Sequence, residues 1–182
     1  MSNPRDPHRF DPVRRRLLLT GAAAAVAATL GVIGSRRFGL RPALAAGAAP
    51  AEHFEVVHTD AEWRALLTPD QYYVLRQEGT ERAFTSPLDH EKRSGTFSCA
   101  GCANPLFSSK TKFDSGTGWP SFYQPLANAI GQSSDNTFGM ERTEVHCRRC
   151  GGHLGHVFDD GPPPTGLRYC MNGVAMTFKA DA

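Results

Sequence analysis

Two short stretches decide the fold of this 182-residue chain: CAGC at residues 99–102 and CRRC at residues 147–150. Two C-x-x-C pairs form a closed tetrahedral thiolate site for structural zinc, with no ligand position left for chemistry. Disulfide bonds or a redox-active pair are the alternatives, but a disulfide across so small a ring would constrain the unfolded chain little. The spacing therefore predicts a Zn²⁺ ion bound by Cys99, Cys102, Cys147 and Cys150.

The fifth cysteine, Cys170, belongs to neither pair and follows two histidines, His153 and His156. A lone cysteine with histidines nearby is typical of a thiolate nucleophile served by an acid or a base. Arg168, two positions earlier, would favour the thiolate. The alternatives are a buried, inert cysteine and histidines that only pack or form hydrogen bonds. Trp119, in a turn-rich segment, is either a core residue or a ring displayed on a loop.

The charge is divided unevenly along the chain. Residues 1–45 carry eight of the 20 basic residues and two of the 18 acidic ones, which leaves 12 basic and 16 acidic residues in 46–182. The larger part of the chain therefore has a net charge of −4 and no basic stripe. Because nucleic-acid surfaces need clustered lysine and arginine, we expect no nucleic-acid partner.

The first 45 residues have the pattern of a twin-arginine export signal. Arginines at 14–16 precede an apolar run at 17–34, and the small-x-small sequence ALA follows at 43–45. An uncleaved anchor is the alternative, because 18 apolar residues lie at the lower limit for spanning a bilayer. Five arginines precede the run and three follow it, so the domain should face the periplasm or the outer surface of the cytoplasmic membrane. Residues 46–58 are then a linker and lead-in, and only the N-terminal segment would contact membrane.

Residues 59–182 show helix signals first and strand signals afterwards. Thr59 and Glu62 form a capping-box pattern that opens a short helix. A second helix begins at Thr68-Pro69 and should end at Gly79. Short alternating runs follow from Gly95, including 137–145 and 169–178, and predict antiparallel strands. This order predicts an α+β domain with a mainly antiparallel sheet.

Six motifs resemble those of type B methionine sulfoxide reductases, which reduce the R epimer of methionine sulfoxide. The resemblance covers about residues 60–178. Its motifs are both cysteine pairs, QY at 71–72 with GTE at 79–81, SGTGWPSF at 115–122, GHLGHVF at 152–158 and RYCMN at 168–172. It implies a small β-barrel-like domain with peripheral N-terminal helices, a structural zinc ion far from the active site, and action as a monomer on oxidised proteins or peptides.

The resemblance also implies roles for individual residues. Cys170 matches the nucleophile, and Trp119 matches the ring that packs on the substrate methyl group. His153 and His156 match the active-site histidines, with Asp160 in the position that supports them. The predicted chemistry agrees, because a sulfoxide oxygen must be protonated as the thiolate attacks the sulfur.

Three further positions complete the comparison with the family. Asn172 and Arg168 match residues that help to order the site. At Thr117 the chain departs from many relatives, which have there a cysteine that resolves the sulfenic acid as a disulfide. We therefore expect an external thiol, such as a thioredoxin-like reductant, to finish the cycle. The alternatives are a zinc-stabilised module that binds oxidised or unfolded protein without turnover, and a cysteine hydrolase or acyl transferase.

Overall fold

The computed structural model describes residues 52–182, and the proposed export signal lies outside them. Within this range the chain forms two α-helices and nine β-strands. The helices are α1 (Asp60–Leu66) and α2 (Pro69–Gln77). The strands are β1 (Gly95–Cys99), β2 (Pro105–Ser108), β3 (Lys112–Phe113), β4 (Ser121–Phe122), β5 (Ile130–Asp135), β6 (Arg142–Cys147), β7 (His153–Phe158), β8 (Arg168–Met171) and β9 (Met176–Ala180). The predicted α+β class is confirmed.

Both helices begin with the reciprocal hydrogen bonds of a capping box. In α1 the Thr59 hydroxyl accepts from the Glu62 amide at 3.3 Å, and the Glu62 carboxylate accepts from the Thr59 amide at 2.7 Å. Helix α2 ends where predicted, but the left-handed residue is Glu78, with φ 55°. Gly79 is needed for another reason, because a Cβ there would lie 2.3 Å from the Tyr73 ring.

The strands form two antiparallel sheets over a common core. The order is β2-β1-β9 in the smaller sheet and β3-β4-β8-β7-β6-β5 in the larger one. Phe107 of the smaller sheet stacks on Phe122 of the larger sheet with ring centroids 4.4 Å apart, and Phe97 meets Phe122 edge-on at 5.0 Å. All three rings are fully buried, and each contributes about 1.5–3 kcal/mol to folding. This contact joins the two sheets.

Two predicted strands differ in the structure: the one over 137–145 begins only at Arg142, and the one over 169–178 is divided. A 3₁₀ turn at Thr137–Gly139 separates β5 from β6, because the Asp135 carboxylate accepts hydrogen bonds from the amide and hydroxyl of Thr137. A second turn at Gly173–Ala175 separates β8 from β9. At that turn the chain leaves the larger sheet and enters the smaller one, so a continuous strand over 169–178 is impossible.

The lead-in at 52–58 packs against the second cysteine pair. The Val56 amide donates to the Arg149 carbonyl at 2.9 Å, and the Arg149 guanidinium pairs with Glu55 at 2.9 Å. The Phe54 ring lies so close to Gly151 that a Cβ there would be 2.5 Å from it. These contacts hold the chain against the CRRC turn. In residues 52–182 no helix has both the length and the apolar character needed to cross a bilayer.

Candidate active site and metal centre

The four paired cysteines meet in one cluster. Their sulfur atoms all lie within 4.8 Å of one another. Cys99 Sγ is 3.7 Å from Cys150 Sγ, and Cys102 Sγ is 3.5 Å from Cys147 Sγ. A disulfide bond is about 2.05 Å long, so these four sulfurs are free thiols. The cluster is close enough to bind a metal ion, and each close contact joins a sulfur of one pair to a sulfur of the other.

The two pairs share the same backbone geometry. The amide of Ala103 donates to the Cys99 carbonyl at 2.8 Å, and the amide of Gly151 donates to the Cys147 carbonyl at 2.8 Å. Ala103 and Gly151 are both left-handed, with φ of 57° and 68°. Each turn therefore closes four residues after its first cysteine. Glycine suits this position in the second turn, whereas alanine carries the cost of a left-handed backbone in the first.

Charge in the cluster also favours a cation. Cys99, Cys147 and Cys150 are buried, and four neighbouring thiolates in a buried site are stable only if a positive ion compensates them. The Asn104 amide group donates to Cys147 Sγ at 3.6 Å and to the Ala129 carbonyl at 3.0 Å. Such a hydrogen bond stabilises a thiolate and orients it towards the ion.

Cys170 lies in β8, between β4 and β7. Its register partner in β4 is Ser121, and its register partner in β7 is His156. Directly opposite residues on neighbouring strands share a face, so the sheet order places a hydroxyl and an imidazole beside the thiol. A cavity of about 180 Å³ is lined by Cys170, His156, Trp119, Phe158 and Asn172 together with Thr80, Arg142, Gly155 and Met171. Trp119 is half-buried and lines this cavity. Its ring is therefore neither a fully buried core residue nor a fully exposed loop residue.

Burial raises the pKa of the Cys170 thiol above its ordinary value. A hydrogen bond with Thr117 and the positive charge of Arg168 act in the opposite direction, because both favour the thiolate. Thr117 Oγ1 lies 3.8 Å from Cys170 Sγ. Burial has the larger effect, so the resting group at neutral pH is the thiol and the thiolate fraction increases with pH.

A chain of hydroxyl groups extends from the nucleophile. Ser115 Oγ lies 2.8 Å from Thr117 Oγ1 and 2.7 Å from Ser121 Oγ. The hydrogen bond with Thr117 and the proximity of Ser121 each lower the thiol pKa. Neither Ser115 nor Ser121 was predicted from the sequence to act in the site. Their place in the SGTGWPSF stretch, which holds Thr117 and Trp119, was the only signal for them.

The expected role of Asp160 needs correction, because its carboxylate binds Arg168 and not the histidines. Arg168 Nε and Nη2 donate to the two carboxylate oxygens at 2.8 and 2.9 Å. This two-point pairing is geometrically specific. The guanidinium also lies 4.4 Å from the centre of the Phe158 ring. Asp160 therefore holds the cation that favours the Cys170 thiolate, and its effect on the site is indirect.

The carboxylates beside the histidines come from β5 and β6. His153 Nδ1 is 2.7 Å from Glu144 Oε1, and His156 Nε2 is 2.8 Å from Asp135 Oδ2. The hydrogen bond with His153 lowers the pKa of Glu144 to about 2, and hydrogen bonds with Thr137 and His156 lower that of Asp135. Both carboxylates are thus ionised and accept the ring N–H. No sequence motif marked either acid.

Each histidine has a second ring nitrogen that does not contact these carboxylates. His153 is 3% exposed, and its Nε2 has no hydrogen-bond partner within residues 52–182. Burial lowers the pKa of His156, while its hydrogen bond with Asp135 opposes this shift. A neutral His156 that donates from Nε2 has an unprotonated Nδ1, which can take up a proton and release it again.

Trp119 and Asn172 are held by the same residue, Glu81. The Trp119 indole N–H donates to the Glu81 carbonyl at 3.1 Å. The Asn172 side-chain oxygen accepts from the Glu81 amide at 2.9 Å, and its amide group donates to the Leu154 carbonyl at 3.0 Å. Of the residues predicted from the sequence, His156, Trp119 and Asn172 line the cavity with Cys170. His153 does not line it but lies next to His156, with ring centroids 5.4 Å apart. Arg168 acts on Cys170 through its charge, and Asp160 reaches the site only through Arg168.

A half-buried thiol with a paired imidazole beside it, in a small β-rich domain with a separate four-cysteine cluster, defines a cysteine-dependent redox enzyme. Residues 67–180 match the model of the SelR domain. Proteins named peptide methionine sulfoxide reductase MsrB align with the chain at 56% identity over 126 residues in Agrobacterium fabrum, 60% over 121 in Thiobacillus denitrificans and 53% over 130 in Leptospira interrogans. These alignments cover 69, 66 and 71% of this chain and 93, 92 and 99% of the relatives. The chain belongs to the SelR-domain family, that of the type B methionine sulfoxide reductases, and the resemblance inferred from its motifs is confirmed.

The effect of Arg168 on the thiol can be tested by alkylation. Arg168→Gln removes a positive charge that favours the thiolate, so the pKa of Cys170 should rise further. Less thiolate is then present at any fixed pH, and iodoacetamide should label Cys170 more slowly, with the rate profile moved to higher pH. Arg168→Lys keeps the charge and should shift the profile less. Mass spectrometry of the Cys170 peptide gives the rate, and an unchanged profile for Arg168→Gln would contradict the expectation.

Proposed function

We propose that this protein reduces the R epimer of methionine sulfoxide in peptides and proteins to methionine, acting as a single chain with Cys170 as its nucleophile. One observation carries the proposal: in a SelR domain, Cys170 shares a cavity of about 180 Å³ with Trp119, His156 and Asn172. The cavity is of the right order for a methyl sulfoxide group. Its lining combines a nucleophile, a proton carrier and an apolar wall.

The reaction balances without any cofactor. The Cys170 sulfur attacks the sulfoxide sulfur and forms a sulfur–sulfur bond. The oxygen then passes to the Cys170 sulfur as this bond and the sulfur–oxygen bond of the substrate break, which leaves a thioether and a cysteine sulfenic acid. The substrate sulfur gains two electrons and becomes a thioether, while the cysteine sulfur loses two. The thiol proton ends on the transferred oxygen. Cys170 is therefore one step higher on the oxidation ladder after each turnover.

His156 moves that proton. Burial raises the pKa of Cys170 and lowers that of His156, so the resting pair is a thiol and a neutral imidazole. His156 Nδ1 takes the proton from the thiol and gives it to the sulfoxide oxygen as the thiolate attacks. Asp135 accepts from Nε2 and stabilises the imidazolium that forms between the two transfers. We expect His156→Gln to slow the chemical step by about 10²-fold or more.

Trp119 and Phe158 bind the methyl side of the substrate. Aromatic walls favour an apolar methyl group, and His156 offers a polar atom to the sulfoxide oxygen. Fixed positions for the oxygen, the methyl group and the rest of the substrate side chain would together distinguish the two configurations at sulfur. The R preference follows from the family.

We propose zinc as the ion of the four-cysteine cluster. Zn–S bonds of about 2.3 Å in a tetrahedron separate neighbouring sulfurs by about 3.8 Å. The observed separations of 3.5 and 3.7 Å agree with that geometry. Four thiolates leave no open coordination position, so the zinc ion would reinforce the fold and take no part in the reaction.

The decisive experiment is a turnover assay with dithiothreitol and separated R and S epimers of a peptide sulfoxide. We expect turnover of the R epimer only. A zinc-stabilised binding module would bind the oxidised peptide without consuming dithiothreitol. A cysteine hydrolase would turn over neither epimer but would cleave an activated ester. Equal turnover of both epimers would contradict the proposal.

Because Thr117 occupies the position of a resolving cysteine, the sulfenic acid should persist until an external thiol reduces it. Reduced enzyme given excess R sulfoxide and no reductant should convert about one equivalent and gain the mass of one oxygen. Thr117→Cys should instead form a disulfide with Cys170, since the Thr117 hydroxyl is 3.8 Å from the Cys170 sulfur. That variant should turn over faster with a thioredoxin-type donor. A stoichiometric disulfide in the unmodified enzyme would contradict the one-cysteine cycle.

We also propose that residues 1–45 direct the domain, folded and metal-loaded, to the periplasm or the outer membrane face. The four clustered thiols support this proposal, because export of an unfolded chain would expose them to oxidation before metal could bind. Replacing Arg14, Arg15 and Arg16 with lysine should leave active, metal-containing enzyme in the cytoplasm. Full activity after rerouting through an unfolded-chain export pathway would contradict this route.

A further inference from the structure

Glu81 is tied to the turn that follows the nucleophile strand. Its carboxylate oxygens accept hydrogen bonds from the amides of Gly173 and Val174 at 2.5 and 2.9 Å. These residues begin the 3₁₀ turn that leads from β8 to β9. Burial raises the pKa of Glu81, and the two N–H donors oppose this shift because they stabilise the carboxylate. The side chain thus joins segments more than 90 positions apart in sequence, next to the site.

The turn that receives Glu81 is closely packed. A Cβ placed on Gly173 would lie 1.8 Å from the hydroxyl oxygen of Ser86, so that position has no room for a side chain. The main-chain amide of Asn172, just before the turn, donates to the Leu154 carbonyl at 2.8 Å. The turn is therefore a rigid attachment point, and its bonds with Glu81 restrain the position of Glu81 itself.

The main chain of Glu81 contacts two residues that line the cavity. Its carbonyl accepts from the Trp119 indole N–H, and its amide donates to the Asn172 side-chain oxygen. The first bond restricts rotation of the Trp119 ring, and the second restricts the Asn172 side chain. Both bonds require the Glu81 backbone to stay in place, and its carboxylate holds it there.

We propose that Glu81 is a positioning residue for sulfoxide reduction: its carboxylate fixes the backbone that orients Trp119 against the substrate and Asn172 beside Cys170. This role rests on the proposed function, because it assigns Trp119 to the substrate methyl group. Glu81 itself does not line the Cys170 cavity. Its effect should appear mainly in substrate binding and orientation, and the reactivity of the thiol should stay unchanged.

The test compares Glu81→Gln with a matched control, Glu78→Gln, in the full, metal-loaded chain. Both variants remove one carboxylate charge from the same segment, but Glu78 is exposed. In Glu81→Gln the new amide group faces a backbone N–H, so one of the two hydrogen bonds is lost. We expect kcat/KM for the R sulfoxide to fall about 10- to 100-fold, mainly through a higher KM, because displaced positioning groups cost factors of this size.

Two measurements distinguish a loss of side-chain positioning from a general loss of folded structure. Alkylation of Cys170 by iodoacetamide needs the thiol but not the substrate wall, so its rate should equal that of the control. Acrylamide quenching of tryptophan fluorescence should increase in Glu81→Gln, because Trp63 is buried in the core and Trp119 would become more mobile. Kinetics and quenching equal to those of Glu78→Gln would overturn the proposal.

A variant that folds poorly still gives an answer. Glu81→Asp keeps the charge but is too short to reach both amides, so it should show a smaller increase in KM. If the folded, metal-loaded fraction of both variants has the wild-type KM, Glu81 is only structural and the proposal is wrong. If the wild type reduces no sulfoxide, the proposed function fails, while the quenching comparison still decides whether Glu81 restrains Trp119.

Discussion

Cys170→Ser should abolish sulfoxide reduction, with a loss of about 10⁴-fold or more, because a serine hydroxyl is far too weak a nucleophile at neutral pH to attack sulfur. The fold should not change, since the replacement differs by one atom at a half-buried position. Turnover of the R epimer with dithiothreitol measures the loss. Melting temperature and metal content, measured on the same preparation, should equal those of the wild type.

Activity near that of the wild type in Cys170→Ser would remove this residue from the mechanism. A large loss of metal or of thermal stability would make the result uninformative about chemistry and would conflict with the separation of the two sites. The structure supports this separation, because Cys170 does not belong to the four-cysteine cluster. The same variant is therefore the natural control for the second prediction.

Cys147→Ser should have the opposite pattern, with loss of metal and stability first and of activity as a consequence. Structural zinc sites contribute about 10–16 kcal/mol of binding free energy in small peptides, and most of it stabilises the folded state. Removal of one buried thiolate breaks the tetrahedral set. We expect the bound metal to fall from about one ion per chain towards zero and the melting temperature to drop sharply.

Metal analysis and thermal unfolding of Cys147→Ser, beside Cys170→Ser, measure these effects. Cys170→Ser should lose activity alone, whereas Cys147→Ser should lose metal and stability, and activity with them. If Cys147→Ser keeps the wild-type melting temperature, the cluster does not stabilise the fold. Ala103→Ser would be a milder reference, since it alters the first turn without removing a sulfur.

Local spacing was enough to predict the four-cysteine cluster and both helix starts. Two cysteines three positions apart need only one tight turn to face the same ion, and the structure shows such a turn in each pair. A capping box likewise depends on residues within one helical turn, and Thr59 forms it as predicted. The order of helices and strands was also readable, because hydrophobic periodicity is a local property.

The ends of the strands could not be predicted from local sequence in the same way. Residues 169–178 have strand-like composition throughout, but the chain changes sheets at Gly173–Ala175. A strand ends where its pairing partner ends, and that partner lies far away in sequence. Composition alone therefore predicted one strand where tertiary pairing makes two.

The sequence by itself determined the family, the four-cysteine cluster and the candidate nucleophile Cys170, because those residues lie in compact motifs. Only the tertiary structure decided what surrounds the nucleophile. Strand order β4-β8-β7 placed Ser121 and His156 on either side of Cys170. Asp160 follows the histidine motif in sequence, but it binds Arg168 and not a histidine. The antiparallel pairing of β7 and β8 places the last residue of β7 opposite Arg168, the first residue of β8. The acids that do support the histidines come from β5 and β6, since hydrogen-bond partners are set by strand register and burial and not by distance along the chain.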